Sequence, residues 1–136
     1  MKKTKILGLF IFLLITNLLS AQTIGLTKAS ILKNRGNYTA FKFHNQDAYM
    51  FVEPVEDDGT NSFHSFNRIS IYYFDENNKV VLVEVYDPYP KIQSWISDFD
   101  REMGRSDKSK LEWQNSNERY MLSEVSGCLK ITIKPL

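Results

Sequence analysis

One stretch limits the possible folds more than any other. Arg68-Ile69-Ser70-Ile71-Tyr72-Tyr73-Phe74 and Lys79-Val80-Val81-Leu82-Val83-Glu84-Val85-Tyr86 are β-branched and aromatic runs separated by Asp75-Glu76-Asn77-Asn78. Asp and Asn tolerate the turn dihedrals that reverse a strand, so the stretch reads as an antiparallel hairpin. Both faces of 80–83 are apolar, which predicts a central strand covered on both sides at one end. A chain with this hairpin at its centre is organised around an antiparallel sheet.

The flanking sequence extends that sheet. Residues 38–43 alternate, with Thr39, Phe41 and Phe43 on one face and Tyr38, Ala40 and Lys42 on the other. His44 to Asp47 reads as a turn, and 48–53 return until Pro54, which lacks a ladder donor. Pro54 to Asn67 is a long polar connection, a length that marks a functional or mobile loop. After Asp87-Pro88-Tyr89-Pro90, a helix is expected over 91–103. Ile92, Trp95, Ile96, Phe99 and Met103 fall on one stripe of it, and Gly104 closes it. Three short strands finish the chain, at 111–114, 118–123 and 128–134. Near the start, Thr27 can cap a short helix from Lys28 to Arg35, with Ile31 and Leu32 turned inward and Gly36 beyond it. The expected order is α-β-β-β-β-α-β-β-β, an α+β fold with an antiparallel sheet of about seven strands and helices packed on one face.

The first 21 residues carry a different signal. Lys2, Lys3 and Lys5 precede an apolar run from Ile6, and the segment closes on Leu19-Ser20-Ala21. This is the layout of a secretory signal peptide cleaved before Gln22. The apolar stretch to Leu19, interrupted by Thr16 and Asn17, falls short of the roughly 20 residues a membrane span needs. The expectation is a single domain over 22–136, periplasmic or secreted, with no membrane span after cleavage.

Removing the leader takes the balance from 17 basic against 16 acidic residues to 14 against 16. Such a chain lacks the basic excess of a nucleic-acid-binding protein. Cys128 is the sole cysteine, so no intramolecular disulfide can form. At the start of a strand it reads as a small buried hydrophobe rather than a nucleophile.

Two stretches carry a resemblance. Gly25-Leu26-Thr27 with Ile31-Leu32 and Gly36, and Tyr73-Phe74-Asp75 with Asn77-Asn78-Lys79-Val80, resemble motifs of small bacterial envelope modules. These are the outer-membrane assembly lipoproteins of the SmpA/OmlA type and the β-lactamase-inhibitor-protein-like domains. The match spans about 25 residues, and the chain departs from the pattern in having no lipidated cysteine and in its helix over 91–103. The resemblance implies a non-enzymatic, partner-binding module of the cell envelope.

Chemistry-bearing patterns are sparse. His44 and His64 lie in connections, near Asp47 and near Asp57 and Asp58, without metal-ligand spacing. The acids from Glu53 to Asp58 miss the calcium-loop pattern and read as a solvated loop. No G-x-S-x-G elbow and no phosphate-cradling glycine loop is present. No catalytic residue, metal or cofactor is expected.

Aromatic residues are the enriched class. If helices cover one side of the sheet, the other side keeps the aromatics assigned to it, and an exposed aromatic face is a recognition surface. The expected partner-binding set is Tyr72, Phe74 and Tyr86, helped by Glu56, Asp57 and Asp58, which would favour a basic partner. The partner would be another envelope or extracellular protein. The alternative is a small-ligand-binding or weakly enzymatic domain with a pocket between helix 91–103 and the sheet, lined by convergent polar groups such as Tyr73 or His44.

Overall fold

A computed structural model describes residues 23–35, 37–54 and 67–136. The expected signal peptide, Gly36, and the loop bearing Glu56, Asp57, Asp58 and His64 lie outside the described residues.

The chain runs through α1 (Lys28–Asn34), β1 (Tyr38–Phe43), β2 (Gln46–Pro54), β3 (Asn67–Phe74) and β4 (Val80–Pro88). A 3-10 turn (Tyr89–Lys91) leads into α2 (Ile92–Glu102), then β5 (Glu112–Gln114), β6 (Glu118–Val125) and β7 (Cys128–Pro135). All seven strands join one antiparallel sheet in the order β1-β2-β3-β4-β7-β6-β5. The expected sheet is present, but the described molecule is mostly sheet, with two short helices. None of the described helices is long and apolar enough to cross a membrane.

Local chemistry explains each boundary. The Thr27 side chain caps α1 by accepting from the Ser30 amide at 3.2 Å. Seven residues make a helix that is marginal alone. The segment before it is fastened to the sheet by Gly25 N to Val80 O (2.8 Å), Lys28 N to Asn78 O (2.8 Å) and Val80 N to Leu26 O (2.9 Å). Gly25 takes φ 90°, a conformation glycine adopts without a Cβ penalty. His44 and Asn45, at φ 49° and 65°, form a two-residue reversal, so β2 begins at Gln46, two residues before the expected start. Asp75 Oδ1 accepts from the amides of Asn77 (2.9 Å) and Lys79 (3.0 Å), which shapes the next turn.

β4 outlasts its expected end at Tyr86. Asp87 and Pro88 still find partners in Leu129 and Cys128 of β7, and a proline is tolerated at the last rung of a ladder. Cys128, expected to be buried, is exposed. It opens β7 at the rim, where the buried positions start one residue later with Leu129.

Register fixes which side chains share a side, because directly opposed residues on neighbouring strands point the same way. One row crosses the whole sheet: Ala40, Tyr49, Tyr72, Val83, Ile133, Tyr120 and Trp113. The core gathers on this side. Lys28 of α1 lies over the rings of Tyr49 and Phe74, and Arg35 just beyond α1 lies over Phe51 and Tyr72. Phe99 of α2 is fully buried against Trp113 and Tyr120, with Trp95 alongside. The expected stripe of Ile92, Trp95, Ile96, Phe99 and Met103 packs on the core as a set.

Candidate functional site

The second side of the sheet carries the complementary row Thr39, Met50, Ile71, Glu84, Thr132, Met121 and Glu112. A neighbouring row runs Val52, Ile69, Tyr86, Lys130 and Ser123. Over β1 to β4 this side is largely apolar. Phe43 and Val52 are 50% and 49% exposed, and Met50, Ile69, Ile71 and Leu82 are half-buried. Arg119, Lys130 and Lys134 lie on the same side over β6 and β7, by the same alternation.

A polar cluster sits where these halves meet. Tyr73 donates to Glu84 Oε1 at 2.6 Å, Tyr86 donates to Oε2 at 3.4 Å, and Lys130 reaches Oε2 at 2.6 Å. Burial alone would raise the Glu84 pKa, but the hydrogen bonds from Lys130 and Tyr73 outweigh it and hold the carboxyl below its ordinary value. The same contact to Glu84 raises Lys130. Burial, then Glu84, pushes the Tyr73 hydroxyl far up, so it remains a donor. These shifts favour the ionised Glu84–Lys130 pair and the protonated Tyr73 hydroxyl, so the hydrogen bonds hold these three side chains in fixed orientations.

The expected contact residues separate. Tyr72 and Phe74 are 4% and 1% exposed and belong to the core, so they form no open face. Tyr86 lies on the second side, half-buried, with Lys130 over its ring. A bulge divides them. Tyr73 pairs with Leu82 but Phe74 pairs with Val80, leaving Val81 as an extra residue on β4. One inserted residue inverts the parity of everything beyond it. Tyr86 therefore faces Ile69 instead of joining Tyr72. The acids Glu56, Asp57 and Asp58 lie outside the described residues.

The helix expected over 91–103 packs its apolar stripe on the core side of the sheet. Phe99 meets Trp95, Trp113 and Tyr120 with ring centroids 5.1 to 5.5 Å apart. A cleft of about 200 Å³ opens beyond the helix end, between Gly104, Asp107 and Lys110 and the β5–β6 residues Glu112 and Arg119. That is below the volume of about 300 Å³ at which small-molecule sites begin. His44 is exposed and packs edge-on against Phe43 at 4.2 Å. Among the described residues, no cluster of three or more His, Cys, Asp or Glu could hold a metal ion.

Two buried acids escaped the sequence reading. Asp87 Oδ2 accepts from Trp95 Nε1 (2.7 Å) and Arg68 Nη2 (3.1 Å), joining α2, β3 and β4. Glu118 is fully buried and accepts from the amides of Thr23 and Ile24 and from the Tyr120 hydroxyl. Glu118 opens the strand expected over 118–123, directly after the turn Asn115-Ser116-Asn117, and no local pattern marks it as buried. Both acids use these hydrogen bonds to hold the protein together.

A scan of protein-family models and searches of curated proteins and of solved structures found no match to this chain.

Proposed function

We propose that the chain is a secreted or periplasmic protein without catalytic machinery, which binds another extracytoplasmic protein through the second side of its sheet over β1 to β4. The observation that carries this reading is the apolar set Phe43, Met50, Val52, Ile69, Ile71 and Leu82, on the side away from the ring contacts of α1 and α2. Apolar side chains gathered on one accessible face, bordered by polar residues, are the usual make-up of a recognition patch. The basic residues Arg119 and Lys134 on the same side select a partner with an apolar ridge bordered by acidic side chains. The leader-like residues 1–21 support export. The resemblance to envelope modules supports the same setting: its two motifs meet, since Gly25, Leu26 and Lys28 hydrogen-bond to Asn78 and Val80.

The test is the paired substitution Phe43→Lys with Val52→Lys, which touches two half-exposed side chains outside the main core. The exported parent and variant are used to capture proteins from envelope extract. Proteins held by the parent and lost by the variant, at an unchanged melting temperature, support the reading. An identical captured set, or none from the parent, overturns it.

A further inference from the structure

Glu118 poses a physical problem. Its side chain is fully buried, and two of its three donors are backbone amides, so Oε1 serves as an acceptor. Among the described residues, no Lys, Arg or His forms an ion pair with it. A buried carboxylate without a counter-charge is costly even when hydrogen-bonded.

The donors indicate where a counter-charge can come from. Thr23 and Ile24 are themselves buried, and Ile24 belongs to the core cluster. Thr23 immediately follows Gln22, the residue expected to become the first of the exported chain. Covalent geometry places the α-nitrogen of Gln22 within about 3.6 Å of the Thr23 amide nitrogen, whatever the backbone dihedrals. That amide donates directly to Oε1 of Glu118. The α-nitrogen is thus within about 6 Å of a buried carboxylate, a range over which opposite charges act strongly.

We propose that the Glu118 carboxylate is the docking site for the α-ammonium group of Gln22, created when the leader is removed. Hydrolysis of the Ala21–Gln22 peptide bond by a peptidase consumes one water. It leaves a carboxylate on Ala21 and, after protonation, an ammonium on Gln22. Before cleavage the same nitrogen is a neutral amide and gives Glu118 no charge. After cleavage it completes the pair, and the start of the chain is locked between β6 and the beginning of β4. Glu118 is a positioning residue in this role. The fold reaches its full stability only in the processed chain, which suits a protein that must cross a membrane unfolded.

The inference rests on the export reading, and the experiment separates the two. The full chain, leader included, is expressed in an exporting host and recovered after export. Mass spectrometry then reports its first residue. A chain that keeps residues 1–21 overturns both readings, whereas a chain cleaved at any position other than before Gln22 upholds export and overturns the pairing of Gln22 with Glu118. A chain beginning at Gln22 upholds export and allows the second measurement, in which amine-selective labelling follows the titration of the α-amino group with pH. The expected result is a titration at least one pH unit above the ordinary value of about 8. In Glu118→Gln the titration returns to that value. An ordinary titration in the parent, or an equal elevation in Glu118→Gln, overturns the ion pair.

A further readout needs no variant, so it decides even if Glu118→Gln does not fold. An N-terminal glutamine cyclises to pyroglutamate when its neutral amine attacks the side-chain amide and expels ammonia. A held ammonium is not nucleophilic. Cyclisation in the folded protein should be at least tenfold slower than in the same protein unfolded in urea at the same pH, and equal rates overturn the proposal.

Discussion

Trp95 donates its indole N–H to Oδ2 of Asp87 at 2.7 Å, fastening α2 to β4 by a directed bond as well as by packing. The guanidinium of Arg68 lies over the same indole ring at 5.2 Å and bonds the same carboxylate oxygen, so one acid positions two other side chains. Trp95→Phe keeps most of the ring and deletes the donor. It should cost about 1–2 kcal/mol. Phe99→Ala removes the fully buried ring beneath and should cost about 3–5 kcal/mol. Urea melts should rank the two in that order, and the reverse ranking would show that the helix is held by the polar contact instead.

The Tyr72 and Phe74 side chains are structural. Phe74→Ala should destabilise by about 3–5 kcal/mol, because it opens a cavity beneath Tyr49 and Lys28. Tyr73→Phe, on the other side, removes only the hydroxyl bonded to Glu84 and should cost about 1 kcal/mol. Equilibrium unfolding measures both. A native-like melt for Phe74→Ala would contradict the assignment of this ring to the core.

The pair of Glu84 and Lys130 sets a pH signature. The Glu84 pKa lies below its ordinary 4.5 in the folded chain. Its contribution is therefore present above 4.5 and fades as pH falls through the lower folded value. The Lys130 pKa lies above its ordinary 10.5, so its contribution is complete below 10.5 and fades as pH rises through the higher folded value. The stability difference between the parent and Glu84→Gln should be largest between these limits and shrink outside them. Thermal melts across pH measure it, and a difference that grows on acidification would reverse the sign of the argument.

Cys128 is exposed on the rim, beside the turn residues Ser126 and Gly127. A maleimide should label it fully in the native protein, without denaturant. Cys128→Ser should change stability by less than about 0.5 kcal/mol. Labelling that requires urea would show that the thiol is shielded.

Most elements were legible because period and punctuation agree along the chain. The Ile92-to-Met103 stripe, the Asp75-to-Asn78 turn and the alternation of Leu129, Ile131 and Ile133 each state one conformation and one buried face. The contact surface was not legible, for a reason of a single residue. The sequence Val80-Val81-Leu82-Val83 is apolar throughout, so nothing in it marks Val81 as the surplus position of a bulge. Uniform hydrophobicity hides register, and without register Tyr86 cannot be assigned to a side. The buried roles of Asp87 and Glu118 were hidden as well, since their partners Trp95, Arg68, Thr23 and Ile24 are set by tertiary placement. The position of β7 beside β4 is likewise a property of the path through α2 and not of any local pattern.

That position has a consequence for the order of assembly. β4 meets β6 only through β7, and β7 follows every other described strand in chain order. Until Cys128 to Pro135 are in place, β1 to β4 form one ribbon and β5 with β6 form another, with no hydrogen bond of the ladder between them. Synthesis proceeds from the N-terminus, so the strand that closes the gap is the latest of the seven described strands to arrive. The two ribbons then join in one late event, and deleting the single strand β7 should cut the sheet in two.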